Sequence, residues 1–147
     1  MLRDARRAVL ATIALDGAPR LVPITFAVDV SHAASIVYTP LDEKPKTVAD
    51  PRDLARVQDI LARPRVALLV DDWSEDWSHL GWLRLSGSAR LLDRDDDSAS
   101  DDHSTTEHGR AVALLRSKYE QYATHALELR PIIRIELVRS TSWFASP

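Results

Sequence analysis

Side chains able to bind a phosphate are concentrated just after one predicted strand. Tyr38 and Thr39 close the apolar segment "SIVYT", and Lys44 and Lys46 follow in "PLDEKPK". Lysine ammonium groups and hydroxyl groups are good phosphate ligands. The residues alone leave two interpretations open: a phosphate site, or a basic loop that binds nothing.

A helix N-terminus is predicted just beyond these lysines, and it would add backbone N–H donors for an anion. Asp50 is a typical N-cap residue, and Pro51 suits the first helical position. Arg52 and Arg56 lie near this helix start and are further candidates for holding an anion.

Tryptophan is the second unusual feature. The chain has four Trp residues against two Phe, and Trp73 and Trp77 lie four residues apart in the acidic segment "DDWSEDWSHLG". Such rings often cap a ligand or fill a subunit interface, because they combine a large apolar area with one N–H donor. Packing in the core or in a dimer interface is the competing interpretation for each ring.

The composition excludes several classes of chemistry. There is no cysteine, which excludes disulfides, thiolate catalysis and cysteine-based zinc sites. The sequence contains no G-x-S-x-G, P-loop or H-E-x-x-H motif. Its histidines are dispersed, and His103 and His108 lie near several Asp residues. No metal site is expected.

The charge and hydropathy patterns predict the compartment and exclude two kinds of partner. A net charge of −3 argues against nucleic-acid binding, which needs a basic face. No apolar run reaches the length of about 18 residues that a membrane-spanning helix requires. The N-terminal segment lacks a clean signal-peptide pattern, so we expect a cytoplasmic protein with no membrane partner.

The elements that must position these residues are about six strands and two helices in a single domain over 1–147. Asp16-Gly17 between "VLATIAL" and "LVPITFAV" predicts a hairpin. Pro23 cannot donate a ladder hydrogen bond, so an edge, a bulge or an opening is expected there. Later strands are predicted at "RVALLVDD", which suits burial on both faces, at "WLRLSGSARLL", which has one polar face, and at "PIIRIELVRSTSWF".

The second helix is predicted to open at a capping box. The pattern "STTE" over Ser104–Glu107 is typical of a helix start, and the helix should run through "HGRAVALLRSKYEQY". The acidic run 93–104 before it is expected to be a solvated, flexible loop. Strands joined mostly by short connections, without regular strand–helix alternation, favour a mainly β fold: a partly closed antiparallel barrel with peripheral helices.

Four segments together resemble the pyridoxamine 5′-phosphate oxidase-like split β-barrel superfamily, and in particular its probable F420-dependent oxidoreductases. They are "ATIALDGAPRLVPITFAV", "YTPLDEKPK", "ILARPRVALLVDDWSEDWSHLGWLRLSGSARLLD" and "ALLRSKYEQY". The resemblance covers nearly the whole chain in the right order. It implies a homodimer with two flavin or deazaflavin molecules at the interface, each contacted by both chains.

The resemblance also implies roles for particular residues. The cofactor phosphate would be held by the basic loop, and the ring would rest against the second strand. A Trp-containing loop and the strand after it, from the partner chain, would complete the site. The residues concerned are Lys44, Pro45, Lys46, Thr39 and Tyr38 for the phosphate, Pro23, Ile24 and Thr25 for the ring, and Trp77, Trp82, Arg84 and Trp143 for the remainder.

Two departures from the family pattern affect these roles. Extra residues around Asp50–Arg52 weaken the case for Arg52 and Arg56 as phosphate ligands, and Asp59 stands where the family often has Asn.

The activity that the resemblance implies is hydride transfer between F420 and an unidentified small organic substrate. The alternatives are an FMN-dependent oxidoreductase of the same fold, or a non-catalytic protein that binds a flavin, F420 or haem.

Overall fold

The computed structural model describes residues 1–41, 49–94 and 106–146, and over these it contains seven strands and two α-helices. The strands are β1 Ala8–Ile13, β2 Pro19–Ile24, β3 Ala27–Asp29, β4 Ile36–Pro40, β5 Arg65–Asp72, β6 Gly81–Leu92 and β7 Ile132–Phe144, and the helices are α1 Ala55–Ala62 and α2 Glu107–Lys118. None of the described helices is long and apolar enough to cross a membrane.

The strands form one antiparallel sheet in the order β2-β1-β5-β6-β7-β4-β3. The two edge strands, β2 and β3, are consecutive in the chain and are separated only by Thr25 and Phe26. The sheet must therefore curl until its edges approach one another, and the predicted mainly β split barrel is confirmed. The expected strand count was one too low, because "LVPITFAV" bends after Pro23 and splits into two strands.

The inner face of the curled sheet holds the main core. Alternate residues of each strand point inward, and α1 closes one end through Val57 and Ile60. On the last strand, the inward residues include the predicted Ile133 and Ile135, both with no exposed surface. The expected hairpin turn is also present. Gly17 lies in this turn with a positive φ of 87°, a conformation that glycine adopts without strain.

α2 covers only part of the outer face. Ala111, Val112 and Leu115 of this helix pack with Ile36 of β4 and Ile132 of β7. On the remainder of the outer face, formed by β2, β1, β5, the first half of β6 and the last half of β7, nearly all of the outward residues are exposed or half-buried. We call this second region the bare face. The expectation that β5 is buried on both faces is wrong for the single chain, since its outward Leu69 is 40% exposed.

The two helix starts differ in detail from the predictions. Asp50 does accept a hydrogen bond from the Arg52 N–H at 2.8 Å, but it caps a short 3-10 turn over Pro51–Asp53, and α1 begins after it. At α2, Thr106 is the N-cap and accepts from the Gly109 N–H at 3.0 Å. The predicted cap Ser104 lies outside the described residues, as does most of the acidic run. α2 ends at Lys118 and is followed by a separate 3-10 turn over Glu120–Thr124.

Candidate functional site

The bare face gathers several of the predicted site residues in one row across the sheet. Pro23 in β2 pairs with Val9 in β1, Val9 with Leu69 in β5, Leu69 with Arg84 in β6, and Arg84 with Thr141 in β7. Directly paired residues of antiparallel strands share a face. Pro23 and Arg84 therefore lie on the same surface, three strand spacings or about 14 Å apart.

Part of this surface is apolar. Leu21 is 67% exposed, Leu69 40% and Ile13 37%. All three point outward. The residues of the same strands that point inward, such as Leu10 and Leu68, are instead fully buried. Contiguous apolar surface of this kind marks a place where a ligand or another protein surface binds.

A groove of about 750 Å³ runs along one end of the bare face. Its floor comes from outward residues of three strands, and its wall is the segment after α1. The lining residues include Ala11, Ile13, Ala67, Ser86, Arg63 and Pro64. Arg63 is fixed there, because its guanidinium donates to the Ala14 carbonyl at 3.0 Å and to the Leu15 carbonyl at 3.2 Å.

Charged side chains of both signs lie on the bare face, with Arg65, Arg84 and Arg139 against Asp71. Arg65 and Arg84 are exposed, and neither guanidinium makes a hydrogen bond or ion pair with the residues that the structure describes. Arg84 lies 6.0 Å from the centre of the Trp82 ring, the outer limit of a cation–π contact. An arginine without a partner beside apolar surface suits a ligand with a flat ring and an anionic group.

Two of the four tryptophans occupy one end of the bare face. Trp82 and Trp143 are direct cross-strand neighbours of β6 and β7, and Trp143 is 48% exposed. Trp73 and Trp77 lie in the loop before β6 and are more exposed still, at 67% and 74%. None of these four rings belongs to the buried core, so the structure favours the ligand or interface interpretation over core packing.

Side chains of the segment after α2 hold the bend that carries Thr25. The Thr25 hydroxyl and the Tyr122 hydroxyl are 2.6 Å apart. The Phe26 N–H donates to the Tyr119 hydroxyl at 3.0 Å, and that hydroxyl lies 2.9 Å from the Phe26 carbonyl. The predicted neighbour Ile24 differs from Pro23, since its side chain points inward and is 8% exposed.

Tyr38 and Thr39 lie in a place that their predicted role did not anticipate. Tyr38 has no exposed surface and Thr39 only 2%. The Tyr38 hydroxyl donates to Glu107 of α2 at 2.7 Å, and burial together with this carboxylate raises the pKa of Tyr38. The Tyr38 side chain is thus a core residue in the single chain, and a role for either residue as a cofactor ligand stays a prediction.

The basic loop is not open to the same test. Lys44, Pro45 and Lys46 lie outside the described residues, so their role also stays a prediction. Arg52 is engaged in an ion pair with Asp93. Arg56 is half-buried on α1 and already has an interaction partner.

The two ends of β6 lie far apart, and the predicted residues are divided between them. β4, which precedes the basic loop, ends at Pro40, which pairs with Ile132, and Ile132 pairs with Leu92 of β6. Trp82 lies ten residues back along β6, about 33 Å along the strand at 3.3 Å per residue. A single cofactor that contacts both ends would need Trp82 from a second copy.

Sequence reasoning missed Leu69, Arg65, Tyr119 and Tyr122 as components of this region. The alternation in "RVALLVDD" places Arg65 and Leu69 on one face and was the available signal for those two. No signal in the sequence links Tyr119 or Tyr122 to the bend, because these contacts join residues more than 90 positions apart.

Comparison with known proteins supplies the class. The family model for pyridoxamine 5′-phosphate oxidase matches residues 1–143, and the chain belongs to this family. No curated protein matches it by sequence.

Solved structures share the fold at low sequence identity. A protein described as an F420 reductase is 17% identical, with a TM-score of 0.60 over 95% of this chain and 92% of its own. A FAD-binding protein from Mesorhizobium loti is 21% identical, with a TM-score of 0.56 over 96% and 87%. HutZ, the haem storage protein from Vibrio cholerae, is 10% identical, with a TM-score of 0.61 over 96% and 87%.

Proposed function

We propose that this protein is an oxidoreductase that binds the deazaflavin F420 between two copies of the chain and acts on a small organic substrate. The observation that carries the proposal is the bare face, where exposed apolar side chains such as Leu69 lie beside Arg84, whose guanidinium makes no described hydrogen bond or ion pair. When two bare faces meet, Arg84 of one copy and Pro23 of the other would lie against one ligand. The membership of the family and the fold shared with an F420 reductase support it.

The residues of the bare face fit a flavin-type group. A flat ring system needs an apolar surface, and Pro23 with its neighbours Val9 and Leu69 offers one. An anionic phosphate or tail needs cations, and Arg84 is available. When bound, the ring supplies the hydride-transfer chemistry.

The chain's own contribution is binding, orientation and exclusion of water. Lys44 and Lys46 of one copy bind the phosphate, and Thr25 and Pro23 position the ring. Trp82, Arg84, Trp77 and Trp143 of the second copy cover it. The distance along β6 between Leu92 and Trp82, about 33 Å along the strand, supports this division. No side chain acts as a nucleophile.

The homodimer is part of the same proposal. Exposed leucines and an isoleucine on the bare face would be covered by the same surface of a second copy, as a two-fold interface requires. Burial of this apolar area drives association at roughly 25 cal/mol per Å² before the cost of lost freedom.

The basic loop gives a direct test. Lys44→Ala/Lys46→Ala should weaken F420 binding in a salt-dependent manner, because two charges near the phosphate are lost. The matched control is Arg110→Ala/Arg130→Ala, which removes two charges near α2. Fluorescence titration at low and high salt measures both. Equal affinity of the lysine variant and the wild-type protein would remove the loop from the site.

FMN is the alternative cofactor, and haem storage is the alternative function that the likeness to HutZ brings forward. Titration with each compound separates the three. Binding of FMN without F420 would reverse the choice of cofactor. Tight haem binding with no flavin binding, together with no turnover of quinones, enones or nitroaromatics, would replace the enzyme by a carrier.

A further inference from the structure

The bend between β2 and β3 lacks the support that strands usually give one another. β2 pairs only as far as Ile24 and β3 only from Ala27, so Thr25 and Phe26 lie outside the ladders. Buried backbone groups need hydrogen-bond partners. Phe26 is fully buried, and its N–H donates to the hydroxyl of Tyr119. That hydroxyl lies within donating distance of two carbonyls, those of Phe26 at 2.9 Å and Arg6 at 3.0 Å.

A second tyrosine fixes the side chain of the neighbouring residue. Tyr122 is 3% exposed, and its hydroxyl lies 2.6 Å from the Thr25 hydroxyl. The two tyrosine rings also pack edge to face with centroids 5.6 Å apart. Thr25 and Phe26 are thereby both bound to one short segment of chain outside the sheet.

That segment is itself anchored. Arg116 of α2 donates to the Tyr122 carbonyl at 3.1 Å and to the His125 carbonyl at 2.9 Å, and it pairs with Glu128. Lys118 adds a contact to the bend, since its ammonium lies 4.1 Å from the centre of the Phe26 ring. The position of the bend is therefore set by α2 and the 3-10 turn that follows it.

We infer that Tyr119 and Tyr122 are positioning residues for the cofactor. They do not touch it; they hold the backbone of Phe26 and the hydroxyl of Thr25 so that Thr25 and Pro23 meet the cofactor ring in a fixed orientation. This inference rests on the proposed function. Pre-ordering of a binding strand raises affinity, because the ordering cost is met before the ligand arrives.

A double-mutant cycle tests the inference. Tyr122→Phe removes only the hydroxyl and should weaken F420 binding about three- to tenfold, the effect of one hydrogen bond of typical net strength. In a Thr25→Val background the same change should have no further effect, because Tyr122 acts through Thr25. Fluorescence titration supplies the dissociation constants.

The matched control separates positioning from loss of stability. Thr12→Val removes another buried hydroxyl bond, the 2.7 Å bond to Asp59, at a site on the inner face. It should lower the melting temperature and leave F420 affinity unchanged. If Thr12→Val weakens binding as much as Tyr122→Phe does, the effect is general destabilisation and the inference is overturned.

A measurement without cofactor covers the case of a poorly folded variant. Amide hydrogen exchange at Phe26 reports its bond to Tyr119 directly, and in Tyr119→Phe it should accelerate more than at Leu10 or Leu68. Uniform acceleration would contradict the inference. If the wild-type protein and Tyr122→Phe bind F420 equally well, the positioning role is overturned and the proposed function stands. Wild-type protein that binds neither F420 nor FMN overturns the proposed function and the positioning role together.

Discussion

Two rows of residues on the same outer face of the sheet have opposite environments. In the row that α2 covers, Arg90 of β6, Arg134 of β7 and Tyr38 of β4 are neighbours, and all three bond to Glu107. In the bare row, six residues back along β6, Arg84 has apolar Leu69 beside it and makes no hydrogen bond or ion pair with the described residues.

The comparison shows what completes each half of the face. In the covered row, one helix supplies both apolar cover and a carboxylate. Burial alone would raise the pKa of Glu107, but the hydrogen bonds from Tyr38 and Arg134 outweigh it and hold the pKa below its ordinary value. The bare row has the same need for apolar cover and for an anion, and a cofactor with a second chain would supply both.

The largest expected effect comes from removing the carboxylate that the covered row shares. Glu107→Ala should lower the free energy of unfolding by about 3 kcal/mol, because Arg134 and the Tyr38 hydroxyl lose their buried partner. Chemical denaturation measures it. Glu136→Ala is the control, since Glu136 bonds to the same Arg134 but is 49% exposed, and it should cost less than about 1 kcal/mol. Equal costs would remove the distinction between the rows.

The second largest effect comes from placing a charge in the bare row. Leu69→Asp should raise the dissociation constant of the dimer about 100-fold, because a carboxylate would be buried in an apolar interface. Sedimentation over a concentration series measures it. Leu129→Asp places the same charge at another exposed leucine away from the bare face. A wild-type protein that is already monomeric at high concentration, or a Leu69→Asp variant that still dimerises, contradicts the proposed interface.

A smaller effect compares the two arginines of β6 directly. Arg84→Ala should weaken F420 binding about tenfold, as expected for loss of one charged contact near 1.4 kcal/mol. Arg90→Ala should leave that affinity unchanged, because Arg90 bonds to Glu107 in the covered row. Calorimetry on both variants gives the answer. If the two substitutions weaken binding alike, net charge rather than position decides the affinity.

The smallest expected effect is on stability at acid pH, and it concerns the inner face of the sheet. There Asp59 accepts from Thr12 at 2.7 Å and from Arg20 at 2.8 Å. Burial would raise its pKa, but these bonds and the charge of Arg20 outweigh it and hold the pKa below 3.8.

A lowered pKa in the folded state gives stability that is present above about 3.8 and is lost as the pH falls below it. The melting temperature of Asp59→Asn should therefore fall less than that of the wild-type protein between about pH 5 and about pH 2, the range in which this stability is lost. Asp53→Asn, at an exposed position, should keep the full loss. An unchanged acid slope in Asp59→Asn would mean that the Asp59 bonds do not contribute.

Local patterns were sufficient to predict the architecture. The Asp16-Gly17 turn, the alternation along β6 and the inward Ile133 and Ile135 are short-range features, and the structure confirms them. The bend at Thr25 was outside their reach, because Pro23 signals an interruption but does not show that the chain then moves to the opposite edge of the sheet.

The candidate site was less predictable, for two physical reasons. A strand end indicates a neighbourhood and not a direction, so the position of Tyr38 at the end of β4 does not reveal that its side chain points under α2. A continuous apolar run such as "RVALLVDD" also looks the same whether its outer face is covered by a helix or by a second chain. Only the position of α2 shows that this helix leaves Leu69 uncovered.

The central claim is that the bare face binds a flavin-type cofactor between two copies of the chain. Calorimetric titration of the wild-type protein with F420 tests it most directly, because the experiment returns affinity and stoichiometry together. We expect saturable binding of one F420 per chain, lost in the monomeric Leu69→Asp variant. Absence of saturable binding for both F420 and FMN, or undiminished binding by a monomer, would contradict it.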